Sequence, residues 1–316
     1  LKGYVLKRVL SLFPVLFLVS IIVFMIIHLT PGDPVSVMLG EEASQEDIDR
    51  LREQLGLNLP IYLQYLNWAM GIFQGDFGYS FFMDKPVIQA IFEHLGPTLS
   101  LAILAELMAV IIAIPVGILA ATRRGTKTDQ TVMGLSLLGI SLPSFLLGLF
   151  LTLVFAVQLR WLPVAGYQPL SEGLWTHLKY LILPSIALGA MQGALIARMT
   201  RASMLEILNA NFIKAARSKG VKEWGVTYKH ALRNAFIPIL TVIGQSFGTL
   251  IAGAAVTETI FNIPGIGQLI VNSVVRRDYS VIQGTVLFVT LAYLLINLLI
   301  DLLYGVVDPR VKLSRK

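Results

Sequence analysis

Six stretches of the 316-residue chain are long, apolar and nearly free of charge: about residues 9–29, 98–121, 131–157, 181–197, 237–257 and 281–307. A helix that crosses a bilayer needs ~20 mostly apolar residues, whereas a buried core helix shows ~10–14. In hydrocarbon an open strand would leave backbone groups unpaired, so helix is the state that satisfies them. The pattern therefore predicts an all-α integral membrane protein with about six transmembrane helices. The fourth stretch is the shortest, with Pro184 near its start, where proline is tolerated. Pro115 and Pro143 fall inside the second and third stretches and predict kinks there.

The first stretch follows Lys2, Lys7 and Arg8 and invites reading as a signal peptide. It is longer than an ordinary signal core, and no small-residue cleavage site follows, so it reads as a first span. With the N-terminus inside, the inner segments carry eighteen basic residues and the outer ones seven. The positive-inside rule selects that orientation and places both termini in the cytoplasm.

Residues 31–96 form one long outer segment with ten acids and three bases. Ser44 and Asp47 fit a capping box, Ile48, Leu51 and Leu55 keep helical spacing, and Gly56 ends the pattern before Pro60. A second amphipathic stretch, 62–73, carries Tyr65, Trp68 and Met70. A small helical extracytoplasmic cap is expected. It is either an acidic solvated cover over helix ends or a platform for a partner.

Composition agrees with the spans. Only 14% of the residues are charged, against ~25% in soluble proteins. Cysteine is absent, so disulfides, thiolate nucleophiles and Cys-type metal sites are excluded. The sequence lacks a phosphate-binding loop, since Gly125-Thr126-Lys127-Thr128 has the wrong spacing, and it lacks zinc-protease and serine-hydrolase signatures. None of His28, His94, His177 and His230 has a second histidine within helical reach. A non-catalytic transport role is expected, with no bound cofactor, metal or nucleic acid. Polar groups inside the spans are few: Glu106, Gln192, Gln245 and Glu258 are candidates for a translocation path, and Asp301 follows Asn297 by one turn. The same residue types also serve as hydrogen bonds between helices. Gly189-x-x-x-Gly193 and Gly244-x-x-x-Gly248 suggest close helix contacts.

The inner segment between the fourth and fifth spans has eight bases and two acids over residues 198–233. Asn211 is placed to cap a short helix over 212–219, and Gly220 to end it. Phe212, Ile213 and Ala216 are expected on one face, with Lys214, Arg217 and Lys219 elsewhere. Val221, Trp224 and Tyr228 share a face of a second helix. Attraction to anionic lipid needs the bases alone. A short helix with the small residues Ala215 and Ala216 also suits insertion into a groove on another protein.

The run Phe212-Ile-Lys-Ala-Ala-Arg-Ser-Lys-Gly220, nine residues, then His230-Ala-Leu-Arg-Asn-Ala235, resembles the EAA motif of ABC importer permeases. Ala215, Ala216 and Gly220 match. Lys214 stands where the general motif has glutamate, and Arg233 where proline is frequent. Thr30-Pro-Gly-Asp-Pro34, Gly75-Asp-Phe-Gly-Tyr-Ser80, Glu258-Thr-Ile-Phe-Asn-Ile-Pro-Gly-Ile-Gly267, Arg277-Asp-Tyr279 and Leu303-Tyr-Gly-Val-Val-Asp-Pro-Arg310 resemble segments of its dipeptide and oligopeptide branch, in order. The match is to B-type permease subunits.

The resemblance implies a type I ABC importer permease fold in a prokaryotic plasma (inner) membrane. It divides the chain into 1–30 (first span), 31–96 (outer loop), 97–307 (permease core with coupling loop 198–236) and 308–316 (tail). It further implies a second homologous permease, two ATP-binding subunits that hold ATP and Mg, an extracytoplasmic peptide-binding protein and surrounding membrane lipid. Asn211, Phe212, Lys214, Ala215, Ala216, Arg217, Lys219 and Gly220 would dock on the ATPase. Phe261, Pro264, Gly265 and Gly267 are candidates for an outer gate. Nickel-chelate and glutathione importers use similar permeases. A stand-alone secondary transporter or channel would instead predict internal repeats with intramembrane charge pairs.

Overall fold

The computed structural model describes residues 2–30, 33–39, 44–54 and 56–307. In chain order these form α1 (Lys2–Leu29), α2 (Pro34–Leu39), α3 (Gln45–Gln54), α4 (Ile61–Phe73) and a small antiparallel ladder of β1 (Tyr79–Ser80) and β2 (Lys85–Pro86). Then follow α5 (Val87–Thr122), α6 (Lys127–Ser141), α7 (Ser144–Leu151, continued by a π-helical turn, Thr152–Gln158) and α8 (Leu174–Leu208). The remainder is α9 (Asn211–Ser218), a π-helical segment (Gly225–Leu232) running into α10 (Arg233–Ile260), α11 (Ile266–Arg276) and α12 (Tyr279–Val307). Five helices are long and apolar enough to cross a membrane, and α6 with α7 makes a sixth crossing if counted as one broken span.

The break between α6 and α7 is far larger than a proline kink, at 105°. Leu142 is extended (φ −82°, ψ 124°), the conformation that a following proline imposes, and Pro143 has no N–H to continue the ladder. The fourth span, expected to be the shortest, is a 35-residue helix. Its charged ends hide it from an apolar count, and other helices surround its middle.

The chain divides into two compact units, 97–263 with 299–316, and 1–96 with 264–298. In the first, α8 packs on α6, α7 and α10, and meets α5 through small residues. A Cβ on Gly189 would lie 2.6 Å from the Ala105 carbonyl oxygen, so only glycine permits this approach. A buried ion pair ties α6 to α8: Arg201 Nε donates to Asp129 Oδ1 at 2.6 Å and its Nη2 to Oδ2 at 2.7 Å, while Oδ2 also accepts the Gly125 N–H at 2.9 Å. Asp129 is 4% exposed. Asp129→Ala strands the guanidinium, and a loss of about 2–3 kcal/mol is expected, read as a lower unfolding midpoint in detergent.

In the second unit the predicted cap is present. Ser44 Oγ accepts the Asp47 N–H at 3.2 Å and donates to Asp47 Oδ2 at 2.5 Å, starting α3. Gly56, at φ +66°, follows α3 in the left-handed region. Asp33 caps α2 through the Ser36 N–H and hydroxyl, and receives Arg52 from α3 at 3.0 Å. The α4 helix lies along α1: the Tyr65 hydroxyl meets Ser20 Oγ at 2.8 Å, and the Tyr65 and Trp68 rings pack on Phe24. Two motifs far apart in sequence meet here, with buried Ser80 Oγ donating to buried Asp278 Oδ2 at 2.5 Å. Asp278 in turn caps α12 by accepting the Val281 N–H at 3.3 Å. The segment after α10, expected to be a loop, contains α11, whose Ile266 and Leu269 are buried.

Candidate functional site

The basic loop folds as a short helix seated on the first unit's inner core. Ile213 is fully buried in a cluster with Ile196, Met204, Val226, Ala231 and Ile239. Phe212, one residue earlier and ~100° around the helix, is 45% exposed. The expectation that Phe212 and Ile213 share a face is therefore corrected: Ile213 faces the cluster, Ala216 is half-buried, and Phe212, Lys214 and Ala215 are exposed. The predicted cap also shifts by one residue. Ala210 holds the capping position without a side-chain bond, and Asn211 is the first helical residue.

The end of α9 is built as expected. Lys219 is the last position before Gly220, which adopts φ +77°. The Gly220 N–H reaches the Arg217 carbonyl at 2.9 Å and the Val221 N–H the Ala216 carbonyl at 3.2 Å. This pair of bonds is the glycine-terminated helix stop in which a left-handed residue reverses the chain. Arg217 folds back on Glu223 with two bonds, Nε to Oε1 at 2.7 Å and Nη2 to Oε2 at 3.1 Å. That hydrogen bond, with its attraction, holds the Glu223 carboxyl below its ordinary range. Glu223 is the partner that sequence spacing did not disclose. Beyond it Trp224 and Tyr228 stack at 5.4 Å, on the side expected from their spacing.

The polar residues proposed for a path do not converge. Glu106 is buried in α5, where the Ser246 hydroxyl donates to its Oε1 at 2.6 Å. Glu258, fully buried at the end of α10, accepts Thr98 Oγ1 at 2.6 Å. Gln192 is buried and lines a cavity beside the α6–α7 break, while Gln245 is exposed. Of the gate candidates, Phe261 is 2% exposed in the core of the first unit, with the Gly166 N–H on its carbonyl at 2.7 Å. Pro264, Gly265 and Gly267 lie in the second unit, where Gly265 precedes α11 and Gly267 sits in its first turn. Residues 308–310 of the C-terminal motif and residues 308–316 of the tail lie outside the described residues.

Residues 113–313 match the family described as binding-protein-dependent transport system inner membrane component, and residues 1–102 match its N-terminal counterpart. A probable peptide ABC transporter permease protein, y4tP of Sinorhizobium fredii (strain NBRC 101917 / NGR234), is 42% identical over 309 residues, covering 98% of this chain and 99% of the relative. The glutathione transport system permease protein GsiC of Escherichia coli (strain K12) is 44% identical over 310 residues with the same coverage. A putative peptide transport system permease protein of Brucella abortus (strain 2308) is 44% identical over 312 residues, 99% of each chain. Among solved structures, a chain of the inward-facing MetNI methionine ABC transporter superposes with a TM-score of 0.59 at 19% identity, over 70% of this chain and 97% of that one. The fold is that of a type I ABC importer permease. The chain belongs to the binding-protein-dependent transport system inner membrane component family, and it is a multi-pass membrane protein.

Proposed function

We propose that this chain is the membrane-spanning permease subunit of an importer that carries di- and oligopeptides inward, driven by ATP hydrolysed on two partner subunits. A second homologous permease completes the pathway, and an extracytoplasmic binding protein delivers the peptide. ATP and Mg belong to the ATPase subunits, and both termini of this chain are cytoplasmic. The observation that carries the reading is the anchored α9 helix. It is fixed from beneath by Ile213 and at its end by the Arg217–Glu223 pair, yet it presents Phe212 and Ala215 outward. A rigid, small-faced helix on a basic loop suits a cleft on an ATPase, since a partner's push reaches the spans only through a helix that does not slip. The acidic cap formed by α3 and α4 would then be part of the platform for the binding protein. The 258–267 segment would close the outer end of the path.

The test is uptake by proteoliposomes that hold the complete importer. Tri-alanine uptake is expected to require ATP, the binding protein and both permeases together. Uptake that persists without the ATPase would mean a stand-alone carrier. Glutathione is the second cargo to test, because GsiC covers the whole chain at 44% identity. Uptake of glutathione in place of tri-alanine would reassign the substrate and keep the machine.

A further inference from the structure

The 105° break between α6 and α7 opens a cavity of about 340 Å³ against α8 and α10. Its polar lining is Ser141, Ser144, Gln192 and Thr249, its apolar lining includes Met191 and Leu250, and among the described residues it carries no charged side chain. Two independent features mark it as built for a ligand. First, α7 begins here uncapped: Pro143 at the capping position offers no side-chain bond, and the first N–H groups of a helix have no partner within it. Such a helix start favours an anion. Second, Gln192 is 6% exposed, and its amide has no hydrogen-bond partner among the described residues. A buried amide left unpaired is costly, unless something else bonds to it.

We infer that this cavity is a substrate subsite that receives the carboxylate end of a peptide, held by the α7 N-terminus with Gln192 bonding the adjoining main-chain amide. The inference rests on the peptide-import reading above. The lining recognises features that every peptide shares. With no charge in the wall, side chains of any sign are neither selected nor trapped, as suits a pathway that must release what it binds.

The chain's lack of cysteine permits a direct test in the assembled importer. A Cβ on Gly253, which lines the same cavity, meets nothing within 4 Å. Gly253→Cys therefore places a thiol in the cavity with Gln192 intact. During turnover, tri-alanine is expected to slow alkylation of that thiol by N-ethylmaleimide at least about tenfold. C-terminally amidated tri-alanine at equal concentration should protect roughly 10- to 100-fold less, the loss expected for hydrogen bonds to a charged group. Adding Gln192→Leu should remove most of the protection, while a thiol at Ile111→Cys, on an exposed helix face, should react at one rate throughout. Protection that is absent although the importer takes up tri-alanine overturns the subsite alone, as does protection that ignores Gln192→Leu. Equal protection by acid and amide overturns the carboxylate assignment. No uptake of tri-alanine by the unmodified importer overturns the peptide reading and the subsite with it.

Discussion

Ala215→Glu is expected to cut ATP-driven uptake at least about 100-fold. Ala215 lies on the exposed face of α9, between the exposed Phe212 and Lys219. On the isolated permease the substitution is harmless. Glutamate is a good helix former, and a lysine four residues later, Lys219, gives a favourable pair. In the assembled importer the same side chain enters a cleft shaped for a methyl group. An unpaired charge buried at an interface costs about 3–5 kcal/mol, and 3 kcal/mol is roughly a hundredfold in binding. The measurements are co-purification of the ATPase with the permease and uptake by proteoliposomes, with Ala215→Ser as the control that restores both. Normal uptake by Ala215→Glu would remove α9 from the docking role.

Ile213→Ala should fail for the opposite reason, from beneath the helix. Its side chain is fully buried among Met204, Val226 and Ile239, and truncating such an isoleucine costs about 2–5 kcal/mol. The α9 segment has only the Arg217–Glu223 pair as a second hold, and that pair is largely exposed, so it contributes ~1 kcal/mol or less. The population with α9 detached should rise at least about thirtyfold, seen as faster proteolysis between α8 and α10. ATP hydrolysis should then continue with little uptake. A variant that resists protease as the parent does, with uptake intact, would show that the seat is not needed.

Much of this was legible because hydrocarbon leaves a chain few options. The length and purity of the apolar runs placed five continuous helices and the broken sixth, and the positions of Ser44, Gly56 and Gly220 marked stops that the structure uses. What was not legible depended on partners distant in sequence. Nothing local links Ser80 to Asp278, Asp129 to Arg201 or Thr98 to Glu258, since each bond joins separate elements. The α8 helix was undercounted because its charged ends extend beyond the apolar window. The α11 helix was missed despite Ile266, Leu269 and Ile270 at helical spacing, because a proline and two glycines at 264–267 suggested a loop. Phe212 and Ile213 were placed on one face by hydrophobicity alone. A short helix that serves two surfaces has two apolar sides, and sequence does not say which is the seat.

The helical stretch from Gly225 to Ile260 is continuous for 36 residues, so it measures about 54 Å from end to end. Its base lies beside α9, and near its far end Glu258 accepts the Thr98 hydroxyl at 2.6 Å. A rod of that length magnifies angle into distance: a tilt of ~5° at the base swings the tip by ~5 Å, while a hydrogen bond is lost once stretched beyond ~3.5 Å. The Thr98–Glu258 bond thus acts as a strain gauge. Either α5 swings in step with the rod, or the bond breaks at a few degrees of tilt and exposes a carboxylate that is fully buried at rest.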